Sequence, residues 1–240
     1  MSSMKRWILV GILFLSSLGI VMYGVKASDR NLFMPEEFAG VKIVIDPGHG
    51  GLDGGASSGD IVERDITLKI SHELAKRLEK KGATVVMTRE KDGDAIAEHA
   101  PEDKFSTIRE RKLADLKLRE TIVTNENPDV FISVHVNAVP QEKWRGAQVF
   151  YHEGGHTGGE FLAKSIQASF RDNLKNTDRE ALAISGVYLL KKSPVPAVLV
   201  ETGFISNNEE RALLTDSKYQ ADVADSIVEG INTFLNSEEM

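Results

Sequence analysis

The chain contains no cysteine among its 240 residues. This excludes disulfide cross-links and thiolate metal sites, so any bound metal must be held by histidine and carboxylate side chains. Positive charge is also scarce, because 29 Lys and Arg stand against 36 Asp and Glu, for a formal net charge of −7. No basic patch suited to a phosphate backbone is visible, so we do not expect nucleic acid as a partner.

The sequence has one long apolar run, and it lies near the N-terminus. Residues 7–25 are uncharged and mostly apolar, and Lys5 and Arg6 precede them. About 20 apolar residues span the hydrocarbon core of a membrane, and flanking positive charge stays in the cytoplasm. We interpret residues 1–27 as a signal-anchor that places the rest of the chain outside the membrane, with a cleaved signal peptide as the alternative. Residues 28–40 are interpreted as a linker, and residues 41–236 as one globular domain.

Strand and helix patterns alternate along this domain. Apolar residues four apart, as at Ile66, Ile70 and Leu74, predict a helix, whereas β-branched runs closed by turn residues predict strands. The predicted helices cover residues 65–81, 108–125, 160–174 and 217–235, and the predicted strands residues 41–45, 83–88, 129–136, 146–151, 187–190 and 197–200. Residues 90–107 are predicted to form a long polar loop. This alternation indicates an α/β fold with a mixed, mostly parallel sheet and helices on both faces.

Four residues that could carry chemistry lie in or beside the predicted strands. His49 follows the first strand, and Glu63 lies just before the first helix. His135 lies within the third strand, and Glu201 ends the last one. In open α/β sheets the crevice outside the carboxyl ends of the strands is the usual ligand site. Two imidazoles and one carboxylate suit a catalytic zinc ion, and a second, unbound carboxylate suits proton transfer.

Each of these residues also has a structural explanation when it is considered alone. His135 could be a hydrogen-bonded core histidine, and Glu63 a favourable charge near a helix N-terminus. The glycine-rich segment around His49 could be a tight turn. Glu201 is harder to explain in this way, because an unpaired charge at the edge of a buried strand is costly. The four residues together favour a functional site over four unrelated structural roles.

A second histidine pair, His152 and His156, matches the zinc-peptidase pattern H-E-x-x-H. That pattern binds zinc on a helix, where both rings share one face. Here it follows a predicted strand and contains Gly154 and Gly155, and each glycine costs a helix interior about 1 kcal/mol. We interpret the segment as a loop and keep a zinc peptidase that uses His152 and His156 as an alternative function. The other two histidines, at positions 72 and 99, are expected to be solvated.

Four motifs in a fixed order resemble those of the N-acetylmuramoyl-L-alanine amidases of the Amidase_3 type. They are VIDPGHGGLDGGA, VERD, FISVHVNA and VETGFISN, and the resemblance runs over residues 41–234. It implies that His49, Glu63 and His135 bind one zinc ion and that Glu201 is catalytic. It also implies an α/β fold around a mixed sheet of roughly six strands. The substrate that it implies is peptidoglycan, cut between N-acetylmuramic acid and the L-alanine of the stem peptide.

Within this family the chain looks most like the spore-cortex, CwlD-type amidases, because a single catalytic domain follows the N-terminal segment. This resemblance implies that the enzyme acts outside the cytoplasmic membrane and prepares muramic acid for δ-lactam formation by a partner polysaccharide deacetylase. A non-catalytic wall-binding module with a structural metal is the remaining alternative. A structural zinc site would have a fourth protein ligand, and the motifs supply three.

Overall fold

A six-stranded sheet forms the centre of the protein, whose computed structural model describes residues 37–237. In chain order the strands are β1 (Lys42–Pro47), β2 (Ser57–Ser58), β3 (Ile61–Val62), β4 (Thr84–Met87), β5 (Val130–Asn137), β6 (Gln148–His152), β7 (Leu182–Ile184) and β8 (Ala197–Phe204). The helices are α1 (Glu63–Lys80), α2 (Ala95–His99), α3 (Ile108–Glu126), α4 (Gly158–Asn173), α5 (Tyr188–Lys192), α6 (Asn208–Thr215) and α7 (Ser217–Leu235).

The sheet is mixed and mostly parallel, which confirms the prediction. Its strand order is β4-β1-β5-β8-β6-β7, and the first four of these strands run parallel to one another. β6 is antiparallel to β8, and β7 is parallel to β6. β2 and β3 form a separate antiparallel pair. Because β1, β5 and β8 are parallel neighbours, their carboxyl ends meet at one edge and bring together residues that are distant in sequence.

Helices cover both faces of the sheet, as the alternating pattern predicts. On one face α1, α4 and α7 pack against the strands in the larger hydrophobic core. On the other face α3 and α5 contribute to a smaller core that includes Phe131 and Leu190. Successive strand residues point to opposite faces, so β1 places Ile43 and Ile45 in the larger core and Val44 in the smaller one. Burial on both faces explains why the parallel strands read as continuous apolar runs.

The structure corrects the prediction for residues 187–190, which belong largely to helix α5 and not to a strand. A four-residue apolar run has no period that separates helix from strand, and Leu189 and Leu190 are both buried. The sixth strand of the sheet is β7, which the sequence analysis missed because two of its three residues are exposed. The predicted polar loop at residues 90–107 contains helix α2, which begins after an Asp94 side chain that accepts a hydrogen bond from a backbone N–H.

No helix among residues 37–237 is long and apolar enough to cross a membrane. The membrane segment predicted at residues 1–27, and most of the linker predicted at residues 28–40, lie outside the described residues. The described residues themselves belong to one compact unit that begins at Glu37.

Candidate active site

His49 lies in a sharp turn directly after β1. Its backbone φ is 64°, in the left-handed region, which costs a residue with a Cβ roughly 1–2 kcal/mol. Arg119, a buried residue of α3, donates hydrogen bonds to the carbonyl oxygens of Pro47 (2.9 Å) and His49 (2.5 Å). Arg89, also buried, donates to the carbonyl oxygens of Pro47 and Gly48, each at 3.0 Å. The two guanidinium groups beneath the turn therefore set its position.

Glu63 is the first residue of α1, and its side chain is buried between the two histidines. Its Oε1 lies 3.2 Å from Nε2 of His49 and 3.1 Å from Nδ1 of His135. The backbone N–H groups of Val136 and Ala56 donate to Oε1 and Oε2 at 3.0 and 2.8 Å. Burial raises the pKa of this carboxyl, but the hydrogen bonds and charges of the two histidines outweigh that effect and hold the pKa well below its usual range. Glu63 is therefore ionised at neutral pH.

His49, Glu63 and His135 form a group that fits a metal ion. One ligand atom from each residue lies within 4.8 Å of the other two, and the two ring centroids are 5.0 Å apart at an interplanar angle of 79°. Two imidazoles and one carboxylate are the protein ligands of a common class of catalytic zinc site. Within residues 37–237 this is the one such group of histidine and acidic side chains. The residues present therefore fit zinc.

Two motif glycines leave the space that these side chains occupy. A Cβ at Gly48 would lie 2.5 Å from Cε1 of His135. A Cβ at Gly55, where φ is +68°, would lie 2.5 Å from Oε2 of Glu63 and 2.6 Å from Cδ2 of His49. All three distances are well inside van der Waals contact, so a side chain at either position would displace a candidate ligand. The glycine-rich loop is therefore required by the approach of the ligands as well as by its turns.

Glu201 lies in β8 beside His135 in β5. The two residues are paired in register between parallel strands, so their side chains project from the same face of the sheet. Oε2 of Glu201 is buried and has no hydrogen-bond partner among the described residues. Burial raises the pKa of Glu201 to about 7, against the opposing effect of His135, and the charge of Glu63 adds to the rise. A carboxyl group with a pKa near neutrality is suited to accept and return a proton.

Comparison with known proteins assigns the chain. The family model described as N-acetylmuramoyl-L-alanine amidase matches residues 43–233. The chain belongs to this amidase family. The amidase is similar to the germination-specific N-acetylmuramoyl-L-alanine amidase of Bacillus subtilis (strain 168), with 39% identity over 97% of this chain and 96% of the relative. It is therefore an enzyme, a peptidoglycan amidase.

Solved structures share the fold of the amidase. The CwlD amidase from Clostridioides difficile, solved in complex with the GerS lipoprotein, matches with a TM-score of 0.75 and 37% identity, covering 81% of this chain and 98% of that one. The N-acetylmuramoyl-L-alanine amidase from Clostridium difficile 630 matches with a TM-score of 0.71 and 30% identity, covering 84% of this chain and 99% of that one. Nearly the full length of each of the two solved chains is matched, so this amidase and those two proteins share one fold.

A cavity of about 360 Å³ opens beside the two histidines of the amidase. Its lining includes His49, His135 and the apolar side chains of Leu52 and Ile108, which are 70% and 58% exposed. Tyr188 of α5 is also part of the lining. Exposed apolar side chains around a cavity that contains candidate ligands are typical of a substrate site.

The other histidines lie apart from this group. His152 ends β6, and its Nδ1 lies 3.0 Å from the carbonyl oxygen of Ile184. His156 lies in the loop before α4, so the H-E-x-x-H segment is not helical and the interpretation as a loop is confirmed. His72 and His99 are exposed, as expected.

A buried charge network that was not predicted from the sequence lies beneath the site. Asp46, near the end of β1, accepts hydrogen bonds from the hydroxyls of Thr88 and Ser133, each at 2.6 Å, and from Arg119 at 2.8 Å. Arg119 also donates to Asp115 at 2.7 Å. Burial raises the pKa of Asp46, but Arg119 and the two hydroxyls outweigh it and lower the pKa to about 2. The sequence did contain a signal for Asp46, a carboxylate directly after a predicted apolar strand. The same signal singled out Glu201 after the last predicted strand.

Proposed function

We propose that the amidase is zinc-dependent, that His49, Glu63 and His135 bind the ion, and that Glu201 is the catalytic acid–base. The bond cut joins the lactyl group of N-acetylmuramic acid to the L-alanine of the stem peptide. The observation that carries the proposal is the convergence of three ligand atoms within 4.8 Å, in a protein whose family acts on this bond. The unpartnered, buried oxygen of Glu201 on the same face of the sheet supports its separate role.

Each side chain has a distinct task in this proposal. A bound zinc ion supplies a Lewis acid that polarises the scissile carbonyl and lowers the pKa of water. Glu63, ionised and held by two backbone N–H groups, presents one carboxylate oxygen to both histidines. Glu201 takes the proton of the attacking water and returns it to the leaving amine. Burial holds the pKa of Glu201 near neutrality, where its carboxyl can both accept and return a proton.

The experiment that tests the assignment is mass spectrometry of muropeptides after digestion of purified peptidoglycan. The wild-type enzyme should release free stem peptides with an N-terminal L-alanine. Glu201→Gln should lower the rate by about 10²–10⁴-fold, the usual contribution of a general acid–base. The matched control is Glu209→Gln, since Glu209 is an exposed glutamate at the start of α6. Full activity of the Glu201→Gln enzyme would remove Glu201 from the proposal.

We further propose that the enzyme acts outside the cytoplasmic membrane, held there by residues 1–27, during maturation of the spore cortex. The similarity to a germination-specific amidase supports this role. In the cortex the enzyme would leave muramic acid without its peptide, and a polysaccharide deacetylase partner would act on that product. The test compares digestion of purified cortex with digestion of vegetative walls. The proposal expects faster release of stem peptides from cortex, and equal rates on both substrates would contradict it.

A further inference from the structure

Asp53 lies next to His49 in the loop after β1, and its carboxylate contacts two cationic or polar groups. The backbone of the loop is closed at this point by reciprocal hydrogen bonds between Asp53 and Gly50, each 2.9 Å long. Oδ2 of Asp53 lies 3.1 Å from Nδ1 of His49. Oδ1 accepts a hydrogen bond from Nζ of Lys112 in α3 at 2.7 Å. The side chain therefore connects the turn that carries His49 to a helix that lines the cavity.

The contact with Asp53 fixes which nitrogen of His49 carries the proton. An ionised carboxylate can only accept hydrogen bonds, so Nδ1 of His49 must donate to it. In the neutral ring the other nitrogen, Nε2, then has the free lone pair. Nε2 is the atom that faces Glu63 at 3.2 Å, inside the group that fits zinc.

Asp53 has no counterpart at the second histidine. Among residues 37–237, the acidic side chains within ion-pair distance of the two candidate ligands are Glu63, which faces both His49 and His135, and Asp53, which faces His49 alone. Metal-bound histidines usually donate their second N–H to a carboxylate or carbonyl, and this contact orients the ring and increases its basicity. The contribution of an outer carboxylate in this site therefore rests on Asp53.

We infer that Asp53 is a positioning residue that orients His49 so that Nε2 binds zinc, and that Lys112 holds Asp53 in place. The inference rests on the zinc site of the proposed function and goes beyond it to a residue outside the ligand set. A purely structural role of Asp53 would make the loop less stable without a selective change in zinc affinity. The two roles differ in what they predict for metal binding by the folded protein.

The test measures zinc affinity of the purified full-length chain by competition with a chromophoric chelator, with thermal unfolding of the zinc-free proteins as a fold control. Asp53→Asn keeps the shape but removes the charge, and Asp53→Ala removes both acceptors. Loss of such an outer contact costs about 10–100-fold in metal affinity, and we expect this range, with the larger loss for Asp53→Ala. Lys112→Met should lower zinc affinity by up to about fivefold, which is the effect expected from the loss of a half-exposed ion pair.

The matched control is Asp222→Asn, because Asp222 also pairs with a lysine, Lys218, at 2.7 Å but lies in α7. This variant should bind zinc as the wild type does. Wild-type affinity in both Asp53 variants would overturn the inference while leaving the zinc site intact. Absence of zinc binding in the wild type itself would overturn both the inference and the proposed function. His49→Ala removes a candidate ligand and gives the reference for lost binding, against which the smaller losses of the Asp53 variants are measured.

Discussion

Gly55 shows how single positions in the loop are constrained by the candidate ligands. We predict that Gly55→Ala displaces Glu63 and His49, because the new Cβ would lie 2.5 and 2.6 Å from their atoms. Overpacking of this kind costs about 1–3 kcal/mol, in addition to the roughly 1–2 kcal/mol of a Cβ at positive φ. Zinc affinity and amidase activity should therefore both fall, measured by chelator competition and by stem-peptide release.

Gly59 provides the control for this prediction. Its φ is +59°, close to the +68° of Gly55, but a Cβ there would meet nothing within 4 Å. Gly59→Ala should therefore show the backbone cost alone, with normal zinc affinity. Equal zinc affinity in the two alanine variants would show that space for the ligands is not the reason for glycine at position 55.

Glu201 gives a stability prediction whose sign follows from its pKa. The pKa of this carboxyl is about 7 in the folded protein, against 4.5 for the unperturbed group. The folded state therefore binds this proton more tightly than the unfolded state does. The stability of the fold falls as the pH rises from 4.5 to 7, and below pH 4.5 the carboxyl is protonated in both states and has no such effect. Zinc-free Glu201→Gln should be more stable than wild type by roughly 1–3 kcal/mol at pH 8. Urea unfolding should show this gain shrinking as the pH falls, and an unchanged gain at pH 5 would contradict the account.

The four candidate site residues could be selected from the sequence because each belongs to a local motif with its own chemistry. His49 and Glu201 follow recognisable strands, and their residue types match a catalytic zinc site. The roles of Asp53 and Arg119 could not be predicted in this way. Those roles depend on distances between a loop and a helix that are separated by long stretches of chain. No local pattern records such distances.

The contact between α3 and β1 depends on the buried ion pair between Arg119 and Asp46. We predict that Arg119→Met lowers the free energy of unfolding by about 3–5 kcal/mol, because it leaves a buried carboxylate without its partner. Urea unfolding at pH 7 measures this change. The control is Lys164→Met, which removes an exposed pair with Glu160 and should leave the free energy of unfolding nearly unchanged. Similar losses in the two variants would contradict the central role assigned to the buried pair.

The same pair has a pH dependence of known sign. The pKa of Asp46 is about 2 in the folded protein, against 3.8 for the unperturbed group. Its ionised form therefore contributes stability that is fully present above pH 3.8 and is lost as the pH falls towards 2. In Arg119→Met, burial still raises the pKa of Asp46, but the guanidinium that lowers it is gone. Acid should therefore destabilise that variant less than it destabilises the wild type.

The long elements were predicted more accurately than the short ones. Helices α1, α3, α4 and α7 each begin and end within about two residues of their predicted bounds. In α1, α4 and α7 the apolar period that predicted them extends over several turns. Helix α5 and strand β7 are too short for a period to develop, and tertiary contacts decide their conformation. Because α5 was predicted as a strand and β7 was missed, the predicted number of strands agrees with the six of the main sheet, but the sixth strand was placed wrongly.

At the scale of the whole molecule, the candidate site lies where the carboxyl ends of three parallel strands meet. The candidate ligands come from a turn after β1, the start of α1 and the interior of β5, so no short segment contains all three. A zinc ion that binds this folded arrangement and not the unfolded chain must stabilise the fold. At free zinc 100-fold above the dissociation constant, the gain is about 2.7 kcal/mol. Thermal unfolding with zinc and with a chelator should show the shift in wild type and lose it in His135→Ala.

The most direct test of the account is the zinc content of the purified full-length chain, measured by elemental analysis after dialysis. The account predicts one zinc ion per chain in the wild type and in Glu201→Gln, because Glu201 is not a ligand. It predicts no stoichiometric zinc in His49→Ala or His135→Ala. Zinc retained at full occupancy in both histidine variants, or lost from Glu201→Gln, would contradict the assignment of the ligands.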